Sequence, residues 1–252
     1  MNMETDVPRI ILGTMNFGEQ VDEVAADRML AMFLDRGYKE MDTAYKYVDG
    51  SSEEMLGRLL TPERRGKVYL ATKASPLSGG GLGSENITQQ VNTSLRRLRT
   101  DHVDLLYLHA PDLKTNIEVT LEACEKLFKE GKFRELGLSN YASWQVADIW
   151  HLCKRNGWII PSVYQGRYNA VTRDVGMIEI TLRPGIRGAI LASFFPSPID
   201  RLHHFHRKFS TQAVQIVLPL FQIRCRDDHS IPTRTLQKGV SQKPTQSCLD
   251  HR

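Results

Sequence analysis

Four side chains have the types and spacing for proton transfer: Asp42, Tyr47, Lys73 and His109. Asp42 and Tyr47 share one stretch, Glu40 to Glu54, which opens as the end of a strand-like run and closes as a helix start. A buried carboxylate at the end of a strand needs a cation to pair with, and a tyrosine on the next loop can reach the same cation. A phenol ionises at about pH 10, and a lysine ammonium beside it stabilises the phenolate and lowers that value. Lys73 is the candidate cation, Asp42 the group that holds it, and His109 the group that hydrogen-bonds a carbonyl oxygen and turns it towards Tyr47. Such a set suits donation of a proton to an oxygen whose carbon receives a hydride. Taken singly, a Lys or His at a strand end is more often surface or satisfied core, and a lone Tyr is more often packing. Only a fold that brings all four to one rim makes them a site.

The elements around them supply that fold. Arg9 to Gly18 reads as a hairpin with turn glycines at Gly13 and Gly18. A helix starts at Asp22 with Val24, Met29, Met32 and Phe33 as its stripe, and Gly37 closes it. Ser51 and Glu54 have capping-box spacing before a second helix. Strands are expected at Tyr38–Asp42, Lys67–Lys73, Val103–His109, Lys132–Ser139 and Pro161–Gln165. Helices separate them, the last capped by Ser143 and stopped by Gly157. The strand ends at Asp42, Lys73, His109, Ser139 and Gln165 lie 31, 36, 30 and 26 residues apart, near the ~30 residues of a strand-plus-helix unit. Five such units predict an α/β fold of the (β/α)8 barrel type, incomplete in this chain, with a doubly wound sheet as the alternative. In a barrel the C-terminal strand ends form the active face, and here they carry a ring of polar residues.

The matching pieces Asp42-Thr43-Ala44 with Tyr47, Ala71-Thr72-Lys73, Tyr107 to Pro111 and Gly137 to Asn140 resemble the aldo-keto reductases. Asp49 to Glu53, Gly137 to Trp144, and Val163 to Gly166 with Tyr168 to Ala170 are similar to the aflatoxin aldehyde reductase (succinic semialdehyde reductase) subfamily. The resemblance covers roughly residues 9 to 175. It implies an NADPH-dependent reductase of aldehydes and some ketones, with Tyr47 as proton donor, Lys73 lowering its pKa, Asp42 supporting Lys73 near the nicotinamide and His109 binding the substrate carbonyl. It further implies that Ser139, Asn140 and Gln165 hold the nicotinamide carboxamide and that Thr14 and Met15 lie near the same ring. A homodimer stays open. The second function class is a relative that keeps the four residues but cannot hold the cofactor well, and binds a partner or regulates instead of turning over.

After residue 175 the likeness stops. Ile186 to Phe195 has room for one strand; the rest of 176–252 is expected to be a divergent, basic, partly disordered segment. From Arg183 onwards eleven Lys and Arg face four Asp and no Glu, a net +7, whereas residues 1–182 carry −3. The family's cofactor-binding features after the later strands have no match there, so weak NADPH affinity is expected. His203, His204 and His206 lack a carboxylate or thiol companion and read as a solvated basic segment, and no nucleic-acid motif accompanies the charge. The glycines from Gly79 to Gly83 are not a dinucleotide fingerprint and read as a mobile loop. Four cysteines without a CxxC pair suggest neither a zinc site nor a disulfide framework. The acidic Met1–Asp6 start lacks a secretory apolar core and no apolar run approaches ~18 residues. A cytoplasmic protein is expected.

Overall fold

The computed structural model describes residues 10–167 and, as backbone, 187–191. The basic Arg201–Lys208 stretch, its histidines, Tyr168 to Ala170 and the polar tail lie outside the described residues. Seven strands run β1 (Ile11–Gly13), β2 (Glu40–Asp42), β3 (Tyr69–Ala74), β4 (Val103–Leu108), β5 (Phe133–Ser139), β6 (Val163–Arg167) and β7 (Arg187–Leu191). Between the first six lie helices α1 (Glu23–Asp35), α2 (Ser51–Leu59), the short α3 (Pro62–Arg65), α4 (Ser84–Leu98), α5 (Ile117–Lys129) and α6 (Ser143–Asn156). All strand pairs are parallel, and each strand pairs only with its sequence neighbours, in the order β1 to β7. A doubly wound sheet reverses its strand order part-way. This one does not, so the fold is an incomplete (β/α)8 barrel.

The sequence expectation placed five units here, and β1 is the reason it fell short. Ile11–Gly13 is not half of a hairpin: it runs parallel to β2, with Gly13 opposite Asp42. Three residues followed by a turn give too little alternation to be read as a barrel strand. β7 lies beyond residue 175 and pairs with β6 from Arg187 to Leu191, so the sheet continues further than the likeness had reached.

Strand periodicity explains the core. Successive side chains point to opposite faces, so Leu12, Met41, Leu70, Leu106 and Leu136 join the helix residues Leu30, Leu56, Ile87 and Leu121 in one cluster. Ala71, Leu105, Tyr107 and Val163 form a separate cluster with Ile11 and Tyr69 on the other face. Full burial of a Leu-sized side chain contributes about 1.5–3 kcal/mol, which fixes the parity of every strand. Asp42, Lys73, Ser139 and Gln165 share the parity of the inner cluster. Gly137 is needed in that layer because a Cβ there would land on the Tyr107 ring. At the opposite ends of the strands, buried Asp104 is held by Arg65 at 3.1 Å and Arg134 at 3.0 Å, and accepts the Leu70 N–H at 2.9 Å.

Local expectations met mixed outcomes. Asp22 caps α1 by accepting the Ala25 N–H, and Gly37 follows at φ 81°. Of the expected stripe of α1, Phe33 is buried and Met29 packs against the core, whereas Val24 and Met32 are exposed; Ala26 and Leu30, which also fit the period, complete the buried face. Ser51 forms no capping box, because left-handed Gly50 occupies the N-cap and neighbouring Glu53 is buried. Ser143 lies inside α6, whose Gln145 side chain instead accepts the Ala142 N–H at 2.9 Å. The Gly79–Gly83 loop is fastened: Asn86 donates to the Gly79 carbonyl, Asp112 accepts the Leu82 N–H and Thr120 donates to the Leu82 carbonyl.

Candidate active site

Lys73 is the hub. Its Nζ is fully buried and donates to Asp42 Oδ1, to the Thr43 carbonyl at 2.7 Å and to the Tyr47 hydroxyl at 3.1 Å. Three donors thus meet three acceptors, which is how an ammonium is kept charged away from water. Asp42 Oδ2 accepts from Gln165 Nε2 at 3.1 Å, so β2, β3 and β6 are tied through one carboxylate. The register supports this: Asp42 sits opposite Ala71, and Lys73 is one inward-facing step further along β3. The Tyr47 ring lies 4.7 Å from Lys73 Nζ and meets the His109 ring edge-on, with centroids 5.8 Å apart and planes at 82°.

Hydroxyls secure the strand ends. Thr14 N and Oγ1 both donate to the Asp42 carbonyl, and Ser52 Oγ donates to the Thr14 carbonyl at 2.8 Å. Met15 follows Thr14 and is half-buried on that turn. Asn140, left-handed at φ 61°, donates to the His109 carbonyl and to Ser139 Oγ, while its own N–H bonds to the Gln165 carbonyl. His109 Nδ1 and Gln165 Oε1 are buried with no hydrogen-bond partner among the described residues. Leaving such an atom unsatisfied costs about 1–3 kcal/mol.

The Tyr47 segment is strained. Val48 (φ 47°), Asp49 (φ 50°) and Gly50 (φ 99°) are three successive left-handed residues, and Val is β-branched. Each non-glycine in that region costs about 1–3 kcal/mol and persists only where its surroundings impose it.

Burial opposes the charge on Lys73, but Asp42 and Tyr47 together hold its pKa above the ordinary lysine value. Burial also raises Tyr47, and this outweighs the downward pull of Lys73; Asp42 pushes the same way as burial. The sequence-level expectation captured the sign of the Lys73 effect but not the net direction. The resting state is therefore a neutral phenol beside an ammonium.

Burial first, and then the charges of Lys73 and Lys46, lower His109 to about 4. His109 is neutral at pH 7. Its unfolded value is about 6.5, so between these values the unfolded chain binds more protons and stability rises with pH. That contribution is complete above pH 6.5 and is lost as pH falls towards 4. In urea titrations, the stability of wild type relative to His109→Gln is expected to fall steadily from pH 7 to pH 4.5. A difference independent of pH would refute this assignment.

The structure thus brings Asp42, Lys73, Tyr47, His109, Ser139, Asn140 and Gln165 to the C-terminal strand ends. The resemblance implied that Thr14 lies near the nicotinamide ring and took in Thr43, Ser52 and Glu53 as motif residues. Sequence reasoning missed the backbone bonds by which Thr14, Thr43 and Ser52 act, and the pairing of Glu53 with Arg97 behind the Tyr47 turn. Only the polar residues following Asp42 and Gly13 hinted at those backbone bonds.

A parallel singly wound sheet with this buried group at its C-terminal rim defines a class of barrel enzymes. The chain belongs to the aldo/keto reductase family, whose model matches residues 9–188. It is 50% identical over 194 residues to aflatoxin B1 aldehyde reductase member 2 of Mus musculus, covering 76% of this chain and 52% of that protein. It is 47% identical over 196 residues to aflatoxin B1 aldehyde reductase member 4 of Homo sapiens, covering 76% and 58%. Identity to human aldo-keto reductase family 7 member A3 is 49% over 184 residues, covering 71% and 54%. The chain spans about half the length of the curated relatives it matches. Among the described residues, no helix is long and apolar enough to cross a membrane, and no His, Cys, Asp and Glu group is arranged to hold a metal.

Proposed function

We propose that this chain binds NADPH and reduces aldehydes, and some ketones, to alcohols, with Tyr47 giving the proton to the carbonyl oxygen. The observation that carries this reading is the buried Asp42–Lys73–Tyr47 hydrogen-bond chain with neutral His109 edge-on to the phenol. Bound NADPH supplies a hydride, which these side chains cannot. The residues present fit the nicotinamide end of the cofactor: Gln165 Oε1 is a buried acceptor without a partner among the described residues, and Ser139 and Asn140 neighbour Gln165 on the adjacent strand end. These three hold the carboxamide, and Met15 borders the ring.

Each side chain then has one task. His109, uncharged, donates a hydrogen bond to the substrate oxygen and aims it at Tyr47. Lys73 offsets the charge that develops on the Tyr47 oxygen as its proton leaves, an interaction stronger in the transition state than before it. Asp42 keeps Lys73 in place and protonated. Relatives named for aflatoxin B1 aldehyde favour an aldehyde as substrate.

NADPH oxidation on addition of 2-carboxybenzaldehyde or succinic semialdehyde tests the reading. Turnover is expected; cofactor binding by fluorescence titration with no oxidation of NADPH would overturn it. One observation favours the second reading, a relative with little or no turnover. The family match ends at residue 188, and the divergent segment proposed for 176–252 lies largely beyond it. Submicromolar NADPH binding would count against that alternative.

A further inference from the structure

The Glu53–Arg97 pair has no part in the chemistry above, yet it lies directly behind the turn that presents Tyr47. Glu53, on α2, is fully buried and accepts from Thr72 Oγ1 at 2.7 Å and from Arg97 NH1 at 3.2 Å, with Ser94 as a further donor. Arg97, on α4, also donates to the Tyr45 carbonyl at 3.0 Å and stacks over the Tyr45 ring at 4.7 Å. Its guanidinium fills the space under Gly50, where any Cβ would fall on it. Gly57 lets α2 approach the Arg97 backbone, since a Cβ there would strike the Arg97 carbonyl. One side chain therefore grips both ends of the strained Tyr45–Gly50 segment. The opposite face of Tyr45 is tied by its N–H to the Lys73 carbonyl.

We infer that Arg97, anchored by Glu53, is a positioning residue that holds the left-handed turn in the one conformation that places the Tyr47 phenol against Lys73. Two facts point the same way. Residues in sparsely populated backbone conformations keep them only when neighbours impose them, and this turn holds two non-glycine examples. A planar guanidinium can stack, donate to a carbonyl and pair with a carboxylate at once; a lysine cannot. The inference about turnover rests on Tyr47 being the proton donor. The inference about the turn does not.

The test uses the full chain and a double variant, Glu53→Gln with Arg97→Met, in which neither charge is left buried alone. Hydrogen exchange at the amides of residues 44–50 is expected to quicken by roughly tenfold or more, with β4 and α5 unchanged. With the aldehyde assay, kcat is expected to fall about 100-fold while KM for the aldehyde and Kd for NADPH hold. Arg97→Lys, which keeps the charge but not the planar fork, is expected to reproduce both results. Unchanged exchange at 44–50 overturns the inference, as does a uniform rise that includes β4 and α5. If Tyr47→Phe turns over like wild type, the proton-donor reading fails, and the exchange result still decides whether Arg97 holds the turn.

Discussion

Replacing Tyr47 with phenylalanine is expected to lower turnover by about 10²–10⁴-fold, the range a positioned proton donor contributes. NADPH affinity should stay close to wild type, and stability should fall only in part. The variant removes one oxygen and keeps the ring, so the edge-on contact with His109 and the cation contact with Lys73 survive. Lys73 loses one of three acceptors but retains Asp42 and the Thr43 carbonyl, which limits the loss of stability to about 1–3 kcal/mol for the unspent donor. Since the phenol is neutral at rest, its main contribution comes as its proton leaves. The loss should therefore fall on kcat and kcat/KM together, the mark of an interaction made in the transition state alone. Steady-state kinetics with 2-carboxybenzaldehyde measures it. A variant with wild-type kcat would remove Tyr47 from the chemistry.

The positions of this site were legible because the barrel repeats. Strand ends some thirty residues apart, each with a polar residue where the core pattern breaks, make the rim visible in the sequence, and Asp42, Lys73, Ser139 and Gln165 lie on it. β1 was not legible, because three residues cannot display a period and its parallel pairing with β2 is a long-range fact. The Glu53–Arg97 pair spans 44 residues: Glu53 lies in the Asp49–Glu53 stretch that resembles the subfamily, but nothing local points to Arg97 as its partner. The direction of the Tyr47 shift was hidden for a different reason. Sequence supplies the charges near a phenol but not how much water is removed from it, and here burial outweighs the ammonium.

Lys73→Met is expected to remove turnover at least as completely as Tyr47→Phe, and to destabilise the fold as well. Asp42 is 1% exposed, and among the described residues its carboxylate bonds only to the Lys73 and Gln165 side chains. Without the ammonium, a buried carboxylate keeps one amide donor, and breaking a buried pair in this way costs about 3–5 kcal/mol. A second substitution separates that penalty from the chemistry. In Asp42→Asn with Lys73→Met the uncompensated charge is gone, and replacing a buried pair with neutral groups is often nearly neutral in stability. Urea unfolding is therefore expected to show most of the lost stability returning in the double variant, while NADPH oxidation stays absent. The two readouts part because the fold needs only that no charge be left alone, whereas proton donation from Tyr47 needs the cation itself. Restored stability together with restored turnover would show that Lys73 serves the fold and not the phenol.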